Sequence, residues 1–239
     1  MKILITSGGT KIPIDQVRHI DNMSSGTFGS RIAIEALNAN HDVVFFKRKN
    51  SKSPFQYSTN LYTSKLYTDK LSVCEDLSEL IIRYNKYANK YSEYEFETFD
   101  EYRTELLALI NKTNPDVVIL SAAVSDYGID YVDGKIRSKN ALKLQLIPLS
   151  KVINEIKKKY PMVKLVGFKL LVNSTKEELI SAAVESIEKH NCEFVVANDL
   201  SNMKKNNHSI YLVSKSEVKY YESDKNDANF LAKVIINKL

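Results

Sequence analysis

At 239 residues the chain is long for one average domain and short for two, so one α/β core with an elaboration is expected, a single domain over 1–239. Hydrophobic residues make up 44% and charged residues 26%, near the averages for a soluble globular protein, and the longest apolar runs are only strand-sized, which excludes a membrane-spanning helix. The net charge of +5, from 34 basic and 29 acidic residues, is too mild to call for a nucleic-acid partner and suits anionic small molecules equally well. The first predicted strand, Lys2 to Thr6, starts right after Met1, leaving no room for a signal peptide and pointing to the cytoplasm. Further strands are predicted at Asp42 to Phe46, Asp116 to Leu120, Val163 to Phe168 and Glu193 to Ala197. Helices are predicted between and after them at Gly26 to Leu37, Leu71 to Tyr84, Phe99 to Asn111, Ser150 to Lys159, Thr175 to His190 and Asp224 to Lys238. In "NSTKEEL", Ser174 or Thr175 serves as N-cap, with Glu177 and Glu178 near the positive end of the helix dipole. Alternating β and α segments with short connections read as a doubly wound, mostly parallel, Rossmann-like sheet. Two pieces break the alternation: "KLQLIP" (143–148) and the pair "HSIYLV" and "EVKYYE" have period two and suggest a smaller antiparallel β subdomain. The Tyr-rich "RYNKYANKYSEYEFETFDEY" reads as a polar helical insertion or loop.

Chemistry concentrates at the strand ends. Gly8 and Gly9 follow the first strand, and Ser24, Ser25, Gly26 and Gly29 open the first long helix, where backbone N–H groups bind phosphate. The plainer alternative is turn glycines with an N-cap serine. This is not the GxGxxG fingerprint, because sixteen residues separate the two glycine clusters, and so long a detour needs a purpose. "SAAVSDYGIDYVDGKIRSKNA" begins where "DVVIL" ends. Ala122 and Ala123 let a ligand lie flat, Asp126 offers an acceptor, and Lys135, Arg137 and Lys139 sit on a segment that could close as a flap, or else form a solvated basic loop. Phe168 and Lys169 end the next strand, Asn198 and Asp199 the one after. A Phe can wall off a base and an Asn read its edge, although core packing and turn capping are the ordinary roles of each. All of these point at one crevice.

Other features carry no chemistry. Tyr160 and Lys164 match YxxxK, but Pro161 breaks the helix that would align them. The histidines His19, His41, His190 and His208 lack ligand spacing, GxSxG and HExxH are missing, and Lys157 to Lys159 read as a solvated helix end. Cys74 and Cys192 are far apart with no CxxC or Cys/His ligand spacing, so reduced thiols are expected rather than a disulfide or zinc site.

In order and spacing, "TSGGTKIPIDQVRHIDNMSSGTFG", "AAVSDY", "GKIRSK", "VGFKLLV" and "VVANDL" resemble the motifs of the phosphopantothenate–cysteine ligase family. The resemblance covers nearly the whole chain, leaving out residues 84–102 and the extreme C-terminus, and looks like the free-standing form with no flavin-dependent decarboxylase domain before Met1. It implies an enzyme of coenzyme A biosynthesis that joins 4′-phosphopantothenate to L-cysteine through an acyl-nucleotide, using CTP or ATP with Mg²⁺. The wording of "GFKLLV" and "ANDL" leans towards CTP. By similarity, Gly8, Ser24, Gly26, Gly29, Phe168 and Asn198 match nucleotide-contacting positions, and Asn22, Ala122, Ala123 and Asp126 match positions around the phosphopantothenate and its acyl group. The resemblance makes Asn22 and Lys135 the catalytic pair: an amide donor to the reacting acyl phosphate, and a mobile-loop cation that neutralises phosphate charge. Two-domain bacterial members read "KIKK" where this chain has "KIRS", so Arg137 and Lys139 are alternatives for a second cation. The family also implies a homodimer joined through β pieces, here near 128–148 and 206–222, with each site finished by the neighbouring subunit.

Two rivals stand beside this. An NADP-dependent reductase would use Lys47 and Arg48, at the end of the second strand, for a 2′-phosphate, but the long detour and missing GxGxxG speak against it. A non-catalytic nucleotide- or RNA-binding domain has only the mild charge and the tyrosine count in its favour.

Overall fold

The first strand shows why a layered structure forms. In β1 (Lys2–Ser7) Ile3 and Ile5 enter one buried cluster and Leu4 another, so both faces are covered, as a central parallel strand requires. The computed structural model describes residues 1–55, 70–138, 141–204, 208–223 and 227–239, the side chains of 70–77 and 203–204 excepted. After β1 come a hairpin of β2 (Lys11–Pro13) and β3 (His19–Asp21), then α1 (Thr27–Asn38), β4 (Asp42–Arg48), α2 (Lys70–Tyr87), β5 (Tyr91–Phe96), α3 (Phe99–Thr113) and β6 (Val117–Leu120). The second half holds β7 (Tyr127–Gly128), β8 (Ile147–Pro148), α4 (Val152–Lys159), β9 (Lys164–Leu171), α5 (Lys176–His190), β10 (Phe194–Asp199), α6 (Leu200–Lys204), β11 (Ser209–Ser214), β12 (Val218–Glu222) and α7 (Phe230–Asn237).

Eight strands form one sheet in the order β12-β11-β10-β9-β6-β1-β4-β5, parallel from β10 to β5 and antiparallel at β11 and β12. The chain winds outward from β1 through β4 to β5, then returns to the other side of β1 as β6, which puts the topological switch point between β1 and β6. Ligands of open α/β sheets sit beyond the carboxyl ends of strands at such a point. One face packs Ile32, Ala36, Leu231 and Ile235 of α1 and α7, the other Tyr102, Leu106, Ile156, Leu179 and Ala183 of α3, α4 and α5. Capping boxes start α3 (Thr98 with Glu101) and α5 (Thr175 with Glu178), and left-handed Asn114 and Asn191 end them. Among the described residues no helix is long and apolar enough to cross a membrane.

The predicted parallel strands and the helices of the core are present, with shifted ends. The C-terminal helix is shorter than expected, beginning at Phe230, and residues 224–226 of its predicted start lie outside the described residues. Three further differences have physical causes. The Tyr-rich piece opens on the end of α2, as its helical reading expects, but then holds the edge strand β5 and the start of α3: Phe96 and Tyr102 close on Phe46 with ring centroids 4.8 and 5.8 Å away. "HSIYLV" and "EVKYYE" pair with each other, and "HSIYLV" also pairs with β10, so they complete the main sheet instead of standing apart. "KLQLIP" is exposed throughout and pairs only through Ile147 and Pro148, against β7.

Candidate active site

The detour between the glycine clusters is a hairpin that leaves the sheet and comes back. Lys11 to Pro13 pair with His19 to Asp21, and the return strand delivers Asn22 beside Gly9. A Cβ on Gly9 would lie 2.0 Å from the Asn22 carbonyl oxygen, so only glycine permits this approach. Asn22 is then fixed from the other side of the switch point. Ser125 Oγ donates to Asn22 Oδ1 at 2.6 Å, while Ser125 N donates to Thr10 Oγ1 at 2.9 Å and Thr10 Oγ1 donates to Ser125 Oγ at 3.1 Å. With its oxygen engaged, the Asn22 amide has its two Nδ2 protons left for a ligand.

A crevice of about 1200 Å³ opens at this point, walled by Asn22 to Gly29, Leu120 to Asp126, Gly167 to Leu170 and Asn198. The segment after β6 is laced to the one after β1: Ala122 N donates to Thr6 Oγ1 (3.3 Å), Ala123 N to Gly8 O (2.8 Å) and Thr10 N to Ala123 O (3.1 Å). Gly26 adopts φ 75° at the head of α1 and offers no side-chain cap; Thr27 N donates to Ser25 Oγ at 3.4 Å, and the N–H groups of Phe28 and Gly29 are the first-turn donors left for an anion among the described residues. Arg31, Lys169 and Lys189 add positive charge to the wall. At the far end Phe28 stands edge-on to Phe168 (6.0 Å) and to His208 (5.0 Å), giving an apolar slot beside Asn198. Burial, and then Arg31, hold His208 below its ordinary pKa, so a neutral imidazole faces the slot at neutral pH.

Of the residues expected from sequence, Asn22, Ser24, Gly26, Gly29, Ala122, Ala123, Asp126, Phe168 and Asn198 all line this one crevice. Gly8 and Lys135 are not on its wall. Gly8 is buried beneath it, where an added Cβ would meet Arg48 Cβ at 2.7 Å, and Lys135 is exposed on the arm that follows β7. Asp126 is no free acceptor, since Lys151 Nζ ion-pairs with its carboxylate. Arg137 is exposed, and Lys139 lies outside the described residues. Sequence reasoning missed Ser125, Phe28 and Arg31. Ser125 and Phe28 stand inside quoted motifs, and Arg31 follows Phe28 by three helical positions, so the signal was there for these. Lys189, at the end of α5, carried none.

The cations proposed for a 2′-phosphate are both engaged. Lys47 is buried and bonds Glu95 at 2.6 Å with Glu93 at 3.6 Å, and Arg48 pairs with Asp21 at 2.7 Å, which ties the hairpin to the sheet. The reductase reading loses its best support. Burial pushes the Cys192 thiol up to about 11, so it is protonated and inert, while the side chain of Cys74 lies outside the described residues. Among the described residues no group of three His, Cys, Asp or Glu could hold a metal ion.

The family model for the DNA/pantothenate metabolism flavoprotein C-terminal domain matches residues 1–63 and 87–239. The chain belongs to that family. The stretch left out is 64–86, and the C-terminus lies inside the match, which corrects the expectation that 84–102 and the C-terminus fall outside. The coenzyme A biosynthesis bifunctional protein CoaBC of Thermococcus kodakarensis is 32% identical over 91% of this chain and 46% of its own length. Phosphopantothenate–cysteine ligase CAB2 of Saccharomyces cerevisiae is 26% identical over 85% of this chain and 66% of its own. The chain thus spans about half the length of the archaeal bifunctional relative and two-thirds of the yeast one. A solved Cab2 mutant (H337A) in complex with phosphopantothenate-cysteine superposes with a TM-score of 0.85 at 25% identity, covering 99% of this chain and 84% of that one.

Proposed function

We propose that this family member catalyses the joining of 4′-phosphopantothenate to L-cysteine through an acyl-nucleotide in coenzyme A biosynthesis, acting in the cytoplasm as one domain of a homodimer. The observation that carries the reading is Asn22. An amide whose oxygen is held by Ser125, at the switch point of a family member's sheet, presents donors where negative charge would develop. In the first step a carboxylate oxygen attacks the α-phosphorus of CTP or ATP, a P–O bond forms, and pyrophosphate leaves with the electrons of the bond it gives up. In the second the cysteine amine attacks the acyl carbon, the nucleoside monophosphate departs, and the amine loses a proton. Neither step needs a nucleophilic side chain from the protein. Positioning and charge stabilisation suffice.

A crevice of about 1200 Å³ exceeds the usual ~300–1,000 Å³ of a single-ligand pocket, which suits a nucleotide and an acid held together. The glycine turn and the head of α1, with Ser24, Gly26 and Gly29, take the phosphates, while Phe168 and Asn198 border the base. Ala122, Ala123 and Asp126 border the acid. Gly8 serves by shaping the turn beneath. Lys135 supplies charge once the neighbouring subunit finishes the site, consistent with its place off this chain's wall. The crevice offers no protein metal cluster among the described residues, so Mg²⁺ would arrive on triphosphate oxygens and water. Purified protein given phosphopantothenate and each triphosphate in turn should release pyrophosphate with one of them, CTP being the first choice, and form the amide when cysteine is added. Absence of acid-dependent pyrophosphate release with every triphosphate would remove the reading.

A further inference from the structure

The hairpin does more than carry Asn22. Its turn holds Asp15, a carboxylate with a side-chain exposure of 0%. Oδ1 accepts from Val17 N (2.9 Å) and Arg18 N (2.8 Å), closing the turn on itself. Oδ2 reaches out of the hairpin and accepts from Ile136 N at 3.1 Å, with Arg18 Nη1 3.2 Å away. Arg18 Nη2 donates to the Ile136 carbonyl at 2.8 Å, so acid and guanidinium together grip that one residue by both its backbone polar groups. Around this grip Val132 N donates to Ile14 O (3.0 Å), Gln16 N to Gly134 O (3.1 Å) and Gln16 Nε2 to Asp133 Oδ1 (3.0 Å). The bonds stop on either side of Lys135, whose neighbours Gly134 and Ile136 are both tied down while Lys135 itself stays exposed. The segment expected to swing as a flap is clasped by the detour. A buried carboxylate is costly unless fully paired, and here the pairing is met only when the loop is in place.

We infer that Asp15 is a positioning residue: through the Ile136 peptide its carboxylate sets the backbone of Lys135 relative to the hairpin that delivers Asn22. This rests on the proposed ligation, in which Lys135 meets phosphate charge. Coupling the two through one acid means that the hairpin which carries Asn22 also fixes the backbone from which Lys135 reaches phosphate in the completed site.

The discriminating variant is Asp15→Asn. Its amide oxygen can still accept from Val17 N and Arg18 N and so keep the turn, but its NH₂ would face Ile136 N, donor against donor, and release the loop. With the melting temperature of the full chain as a fold control, three readouts apply. Hydrogen exchange at the Ile136 amide and tryptic cleavage after Lys135 and Arg137 should both speed up in Asp15→Asn, with the hairpin amides of Val17 and Arg18 still protected. Pyrophosphate release should fall in kcat by about tenfold or more with little change in the KM for triphosphate. In a Lys135→Ala background, itself slower by roughly a hundredfold or more, Asp15→Asn should add less than about threefold, because a residue acting through another contributes nothing once that other is gone. Multiplying effects, or a normal kcat with an exposed Ile136 amide, would overturn the assignment, as would unchanged exchange and proteolysis. If wild-type protein releases no pyrophosphate, the ligase reading fails first and the positioning role falls with it, while the exchange result still reports whether the clasp exists.

Discussion

At the scale of single residues, Asn22 is a donor because other groups have taken its acceptor. Ser125→Ala should leave the fold intact yet free the Asn22 side chain to rotate, lowering ligation by about tenfold, the worth of one orienting hydrogen bond. Asn22→Asp should cost more, about 2.7–4 kcal/mol of transition-state stabilisation, since a negative charge replaces donors beside an anionic phosphate. Equal turnover in both variants and wild type, measured as amide formation, would show that the hairpin serves structure only. The chain of contacts explains what the sequence could reveal. Asn22 was named only through the resemblance of its motif to the family's, and Ser125 acts across 103 positions with a small hydroxyl, a bond that leaves no local pattern. Asp199 is a second case: Ser174 N and Oγ and Ser201 N hold its carboxyl well below the usual range, against its burial. A carboxylate depressed in the folded state adds stability above the unfolded value near ~4, and that stability drains away as pH falls towards the folded value. Asp199→Asn should therefore lower the melting temperature at pH 7 and flatten its decline between about pH 5 and 2; identical acid slopes would refute the assignment.

At the scale of elements, the parallel core was legible because each strand is a short apolar run and each helix a longer amphipathic one, with capping residues at the joints. The elements that failed to show were those whose partners decide them. β2 and β3 are three residues each, too short for any periodicity, and pair with each other where Gly9 lets Asn22, just past the return strand, come in close. β5 was hidden by its tyrosines and glutamates, yet Phe96 and Tyr102 fill the space beside Phe46. Gly9→Ala tests the first point. The added Cβ, 2.0 Å from the Asn22 carbonyl, can be housed only by moving the hairpin, at about 1–3 kcal/mol of strain. The expected result is a modest drop in thermal stability with loss of ligation far larger than the stability change explains. A Gly9→Ala protein of normal activity would mean that the approach of Asn22 to the turn is dispensable.

At the scale of the whole molecule, one strand signal is left largely unpaired among the described residues. "KLQLIP" alternates as a half-buried strand should, yet from Leu142 to Ile147 every residue is exposed, and the pairing to β7 spans two residues. Tyr127, Tyr131, Val132, Leu142, Leu144 and Leu146 are all exposed large hydrophobics on this same arm, a concentration that a lone monomer rarely tolerates. The main sheet is not what covers the arm: among the described residues the arm's strand pairing is to β7 alone. A second copy of the arm can be, because an isologous pairing covers both apolar faces and unpaired backbone groups at once. It would also bring the Lys135 loop, which shares the arm, into contact with the neighbouring molecule, so assembly and charge supply become one event. Leu144→Glu with Leu146→Glu should then convert a dimer to a well-folded monomer in sedimentation equilibrium, with the melting profile of the sheet retained. Ligation should fall along with the dimer and recover in part as protein concentration is raised. A wild-type chain that sediments as a monomer at micromolar concentration while ligating at full rate would show that the arm is covered by something other than its own copy and that one chain completes the site alone.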